Sequence, residues 1–428
     1  MKLIFFQKEI SFVRRFLQEN PDGIAFWFAP GLSSYRFLPE TISISAVHIE
    51  ESILDEFKIE YASWIGKYRV EGFPSTKETD IGSGKKPICF FAASDTIVRS
   101  LKTILDHFQP HEYKLFCRGN EHAPEAATQL GLGATVVRKS IAEPEQYSLL
   151  VLANDWGLME QKLIYDFAAK GINSVCIQES SIDFNVKTNR MGHCSFPIFQ
   201  GVATISNLNL KQRICAVIGN PRFEELRPSP MPLKNKALVN VNFTYGLFEN
   251  IRDQWVADIV SVCNELQVEF LLSQHPRDRG HFENLPVLKS NAMKVHDALR
   301  DCSVLISRFS ALITESICLG RPAIYYNPHH EKPGYAFDSN NEMLFMAYTK
   351  DELRNHLQVL LHRGRSGTSS GFLPRHLGNT SEGLASNYIA LALKDISSFP
   401  LLRKKISLPE RARLAIRILK RKIWGQVW

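Results

Sequence analysis

The stretch SVLISRFSALITESICLGRPAIYYNP (residues 303–328) decides the fold class. Val304-Leu305-Ile306 is a short, branched apolar run, as a strand buried on both faces requires. Ser307-Arg308-Phe309-Ser310 forms a small polar turn, and Ser310 is placed to cap a following helix. Helical spacing begins at Ala311 and runs through Thr314 and Glu315 to Leu319. Gly320 stops it as a left-handed terminal residue, and Pro322 bars its resumption. Ala323-Ile324-Tyr325-Tyr326 is the next strand. The turn of such a βαβ unit, at a strand's carboxyl end, is where α/β proteins set phosphate against free amides. A Ser-capped connection with no ligand is the alternative.

Outward from that unit, short apolar runs alternate with helical segments. Strands are expected at residues 3–6, 24–29, 88–92, 113–117, 135–137, 149–152, 174–177, 214–218, 237–243 and 270–272. With helices between most of them, this predicts parallel sheets wrapped by helices, the α/β class. At 428 residues the chain exceeds a single hydrophobic core. A Pro-rich stretch (Pro221, Pro228, Pro230, Pro232) puts a boundary near residues 205–235. The expected domains are 1–210 and 211–395, followed by a basic tail at 396–428.

Hydrophobic residues at 44% and charged residues at 22% are those of a globular protein. No apolar run approaches the ~18–20 residues of a bilayer span, and Lys8, Arg14 and Arg15 interrupt any secretory leader pattern, so a cytoplasmic location is expected. The eight cysteines form no CxxC pair and mostly sit in apolar runs, which predicts buried free thiols. The net charge of +7 is uneven. Residues 402–428 carry Arg403, Lys404, Lys405, Arg411, Arg413, Arg417, Lys420, Arg421 and Lys422, with Leu414, Ile418, Leu419 and Ile423 near helical spacing. Such a segment suits contact with an anionic inner-membrane surface; a helix packed back on the N-terminal domain is the alternative. No reading motif for nucleic acid accompanies the charge, so nucleic acid is not an expected partner.

Four polar clusters follow predicted strands. Gln178-Glu179-Ser180-Ser181-Ile182-Asp183 brings two carboxylates to a strand end, where burial can tune one as a general base; helix capping is the alternative. Gly219-Asn220-Pro221-Arg222 permits a tight turn or a close approach to a ligand, with Arg222 in reach of a phosphate. His275-Pro276-Arg277 presents a histidine and a cation suited to a phosphate. Ser307-Arg308-Phe309-Ser310 with Thr314 and Glu315 is the fourth.

In this order the clusters resemble the GT-B glycosyltransferases of bacterial surface polysaccharide assembly. The likeness spans residues 175–395 and is sharpest at 214–223 and 304–326. The branch includes capsule and lipopolysaccharide Kdo transferases, polysialyltransferases and CDP-glycerol glycerophosphotransferases, and it borders on the non-hydrolysing UDP-N-acetylglucosamine 2-epimerases. The resemblance implies two Rossmann-like parallel-sheet domains facing a cleft. It implies a nucleotide-activated sugar, CMP- or CDP-linked, as donor and a glycan or lipid-linked molecule as acceptor. Carried over, His275-Pro276 meets the donor phosphate together with Ser307, Ser310 and the Ala311 amide. Glu315 lies near the ribose, and Glu179 is the expected base with Asp183 as second choice. Gly219, Asn220, Arg222, Arg277, Arg308 and Thr314 complete the expected donor site. Departures are the absent glutamate eight residues before Glu315, where Ser307 stands, and the absence of any Asp-x-Asp triplet, so neither a metal nor a cofactor is expected. An epimerase on the same scaffold, or a related binding protein without turnover, are the rival readings.

Overall fold

The structure is a computed structural model that describes residues 1–75, 86–119, 122–179, 189–206, 208–211, 213–244, 246–289, 292–332, 342–362, 371–402 and 408–423. It divides into two compact units, Met1–Glu224 with Pro374–Trp428, and Glu225–Leu373. Each holds one parallel sheet among helices, the α/β class that the alternating pattern predicts.

In the first unit the strands are β1 (Lys2–Phe6), β2 (Ile24–Trp27), β3 (Ala46–Glu50), β4 (Arg69–Phe73), β5 (Ile88–Ala92), β6 (Tyr113–Arg118), β7 (Ala134–Val137), β8 (Leu149–Leu152), β9 (Asn173–Ile177), β10 (Phe196–Phe199) and β11 (Ile214–Val217). They form one sheet in the order β4-β3-β1-β2-β11-β10-β9-β8-β5-β6-β7. Strands such as β5, β8 and β9 are buried at every position, as helices on both faces demand. The run β5 to β11 is doubly wound, with its direction reversing between β5 and β8.

The first four strands join that run through a single pairing, Ile214 with Ala25 and Cys215 with Phe26. An aromatic cluster reinforces the junction. Tyr35 packs on Phe5 and Phe26, and its hydroxyl donates to the Trp27 carbonyl (2.6 Å) while accepting the Val217 amide (3.2 Å). One buried hydroxyl thus bonds both β2 and β11.

The division at Glu224 falls within the expected 205–235 but later than residue 211, for a physical reason. Strand β11, apolar along its length, is central between β2 and β10, and so belongs to the first sheet and not to a domain starting at residue 211. The helix Ala385–Ile396 likewise packs into the first unit's core through Ile389, Leu393 and Ile396. The tail helix Leu408–Ile423 also returns to this unit, with Leu414 in the core and Arg417 donating to Gln161 (3.1 Å).

In the second unit the strands are β12 (Lys236–Val241), β13 (Glu269–Gln274), β14 (Val287–Lys289), β15 (Val304–Ser307), β16 (Ala323–Tyr326) and β17 (Leu344–Ala347). Their order, β14-β13-β12-β15-β16-β17, is doubly wound, with its reversal between β12 and β15. The stretch 303–328 therefore flanks the switch point. Its helix is Leu312–Cys318, and Gly320 takes φ +77° after it.

All eight cysteines are free and buried, and burial pushes the thiols of Cys215 and Cys263 up to about 12. Among the described residues no helix is long and apolar enough to cross a membrane.

Arg321, in the Gly-Arg-Pro of the opening stretch, is wholly buried and donates to the carbonyls of Ser229 (2.8 Å), Pro230 (2.7 Å), Leu299 (3.2 Å) and Arg300 (3.0 Å). It fastens the Pro-rich segment to the end of the preceding helix. Arg321→Met should destabilise the fold by about 2–4 kcal/mol through the orphaned carbonyls; denaturant unfolding followed by circular dichroism checks this.

Candidate active site

The sequence-predicted residues fall into two groups, one in each unit. In the first unit, Gln178 and Glu179 follow β9, Gln200 follows β10, and Gly219-Asn220 follows β11. Asn220 is the node among them. Its side-chain amide donates to the Glu179 carbonyl (2.6 Å) and to Gln200 Oε1 (3.0 Å), and its backbone amide donates to Thr380 Oγ1 (2.6 Å). The Gln178 side chain accepts the Gln200 amide (3.1 Å). Arg222 Nη1 lies 3.3 Å from Glu179 Oε1, so the carboxylate is held beside a guanidinium at a partly exposed position.

Gly219, Asn220 and Arg222 are therefore neighbours of Glu179, in the first unit, whereas the other donor-site candidates belong to the second. The close approach that Gly219 permits is made by the chain itself. At φ +153°, an added Cβ would stand 2.5 Å from Ala385 Cβ and 2.8 Å from Thr380 Oγ1. Asp183 lies outside the described residues.

In the second unit, the loops after β12, β13, β15 and β16 converge. His275 follows β13, with its amide on the Val241 carbonyl (2.9 Å). Its Nδ1 accepts the Arg277 amide (3.1 Å), an arrangement that assigns the ring proton to Nε2. Burial, partly opposed by Asp278, lowers the imidazole below the usual histidine range, so the ring is neutral at neutral pH. Asp278 shapes this turn by accepting the amides of Phe243 and Gly280 (both 2.8 Å) and pairing with Arg252 (3.1 Å). Pro276 and Arg277 are exposed.

The turn after β15 is set by contacts that no local pattern signals. The Ser307 hydroxyl is fully buried, donating to the Arg308 carbonyl (2.7 Å) and accepting from Asn240 (2.9 Å). Arg308 lies between the rings of Phe243 (5.0 Å) and Phe248 (5.3 Å) and donates to Glu331 Oε2 (2.5 Å). Glu331 Oε1 accepts the Phe309 amide and the Tyr325 hydroxyl, both at 2.9 Å. Burial alone would raise the Glu331 carboxyl, but the hydrogen bond and charge of Arg308, with the His329 ring 3.6 Å away, carry it down to about 2.

Ser310 Oγ accepts the Leu312 amide (3.2 Å) from one residue ahead of Ala311, which is the N-cap of the helix Leu312–Cys318 in place of the expected Ser310. Among the described residues, the backbone amides of Ser310 and Ala311 donate to no protein group. Across the switch point Asn242 donates to the Phe309 carbonyl (3.1 Å), and its buried Oδ1 has no partner among the described residues. Thr314 and Glu315 are buried within the unit, and Glu315 Oε2 lies 2.7 Å from His296 Nε2. Sequence reasoning missed Asn242, His296 and Glu331. Only Asn242 had a local signal, a polar residue just past an apolar strand. Among the described residues no group of three or more His, Cys, Asp and Glu side chains is arranged to hold a metal ion.

No family model matches the chain, and no curated protein matches it. Solved structures do. MnaA from S. aureus, solved with UDP, is 11% identical, with 74% of this chain and 99% of that one covered at a TM-score of 0.52. The UDP-GlcNAc 2-epimerase of Methanocaldococcus jannaschii is 12% identical, with 72% and 99% covered at 0.50. The wall teichoic acid polymerase TagF is 16% identical, with 73% and 89% covered at 0.47. At these identities the likeness is one of fold: two parallel-sheet α/β units of the GT-B kind.

Glu331→Gln leaves the Arg308 charge buried without its partner and should cost about 3–5 kcal/mol. The pH dependence gives a second check. A folded carboxyl at about 2, against about 4.3 unfolded, contributes stability above pH 4.3 that is lost as pH falls toward 2. The variant should lack that portion of acid destabilisation in unfolding curves taken between about pH 5 and 2.

Proposed function

We propose that the protein is a glycosyltransferase that moves a sugar from a nucleotide-activated donor to a glycan or lipid-linked acceptor. The observation that carries this reading is the set of uncommitted donors at the second unit's switch point. The Ser310 and Ala311 amides and the neutral His275 Nε2–H all belong to loops at strand carboxyl ends. A nucleotide phosphate needs such an array, and the array gains strength as charge develops on a departing phosphate. The helix Leu312–Cys318 is short, so the loop amides would carry most of this contact. Ser307 and Arg308 would act by shaping the turn, and Asn242 Oδ1 offers an acceptor to a ligand hydroxyl or amino group.

In the first unit, Glu179 is the proposed general base, removing the proton of the acceptor hydroxyl as it attacks the donor's anomeric carbon. Arg222 and Asn220 hold its position. Cytidine-linked donors, with CMP or CDP as the leaving group, remain the proposed class. The second reading, a sugar-nucleotide 2-epimerase, is favoured by the fold likeness to the M. jannaschii epimerase. The same phosphate site would serve it, but no acceptor would be consumed.

Thermal unfolding with CMP, CDP, UDP and GDP tests the donor class. The matching nucleotide at 100 times its Kd should add about 2.7 kcal/mol, and no stabilisation by any of them would defeat the reading. Glu179→Gln should lower turnover by about 10²–10⁴-fold and leave the nucleotide-induced shift intact, whereas His275→Ala should diminish that shift. Product analysis with and without acceptor separates transfer from epimerisation.

A further inference from the structure

The helix Leu408–Ile423 has two apolar faces. One is anchored on the first unit: Leu414 is 6% exposed, Ile418 packs against the same core, and Arg417 donates to Gln161. The other turns outward. Ala412, Ile416 and Leu419 fall at i, i+4 and i+7, on the side opposite Leu414 and Ile418. Ile416 is 52% and Leu419 58% exposed. Arg413 and Lys420, both exposed, border this outward stripe along one side. A helix that needed only to cover the core would spend one apolar stripe, not two.

We propose that this outward face is a docking surface for an anionic lipid bilayer, with Ile416 and Leu419 entering the interface and Arg413 and Lys420 meeting the headgroups. The charge pattern selects the occupant. A second copy of the helix would set cations against cations, and a nucleic acid backbone has no use for an isoleucine and a leucine beside the cations. An anionic interface satisfies both features: acyl chains take the apolar stripe, and headgroups take the flanking charges. The inner stripe fixes the helix to the folded unit, so membrane contact orients that unit instead of tethering it loosely. The surface is independent of the proposed transfer reaction, and either can fail without the other.

Flotation of the full chain with vesicles tests it. The wild-type protein should float with phosphatidylcholine vesicles containing phosphatidylglycerol, and not with phosphatidylcholine alone. Binding should weaken as salt is raised. Ile416→Glu with Leu419→Glu should reduce the bound fraction about tenfold, and so should Arg413→Glu with Lys420→Glu. Both pairs are exposed, so thermal unfolding should stay at the wild-type midpoint. Absence of flotation by the wild-type chain, equal flotation by both double variants, or equal binding to neutral vesicles would overturn the proposal. So would loss of a wild-type dimer in the Ile416/Leu419 variant without any vesicle binding.

Discussion

A guanidinium buried between two phenylalanine rings requires a counter-charge within reach, and in the second unit Glu331 supplies it. That carboxylate binds the Arg308 guanidinium, the Phe309 amide and the Tyr325 hydroxyl, so one residue ties the loop after β16 to the turn after β15. The Arg308 side chain continues the chain of contacts by donating to the carbonyls of Asn242 (3.3 Å) and Leu247 (3.4 Å) beyond β12. Both sides of the switch point are thus held by one ion pair. Because both charges are spent on each other, the turn would meet an anionic ligand with backbone amides and a neutral imidazole.

The first unit depends on a different constraint. Four N-terminal strands and seven later ones make one sheet through the β2–β11 pairing. Every strand at the join has to be apolar on both faces, which is why Phe26, Trp27, Cys215 and Val217 are buried. Tyr35 is a polar exception there, admitted because its hydroxyl is satisfied on both sides of the seam. The same economy governs the polar cluster past β9 to β11, where Asn220 serves Glu179, Gln200 and Thr380 together.

The α/β class and the switch-point turn were legible in the sequence because they rest on local pattern: a branched apolar run, a polar turn, a glycine stop. Strands β3 and β4 were not, since His48, Glu50, Glu71 and Gly72 break their apolar runs. Strand β10 hid behind Pro197, a residue that argues against a central strand. The place of β11 was not legible for a related reason: periodicity marks it as buried without saying in which sheet. At the site, His275 and Ser310 stood in recognisable sequence contexts. Glu331 and His296 did not, because their partners lie far along the chain and meet them only through tertiary packing.

The return of residues 374–396 to the first unit makes the second unit an insertion within it. On a ribosome, the first sheet would emerge complete in its strands yet still lack a core helix while all of Glu225–Leu373 is being made. The inserted unit, continuous in the chain, can close first. The outer unit's core therefore waits for residues beyond Leu373, and the polar cluster at Glu179, whose node Asn220 leans on Thr380, is complete only once that residue has been made.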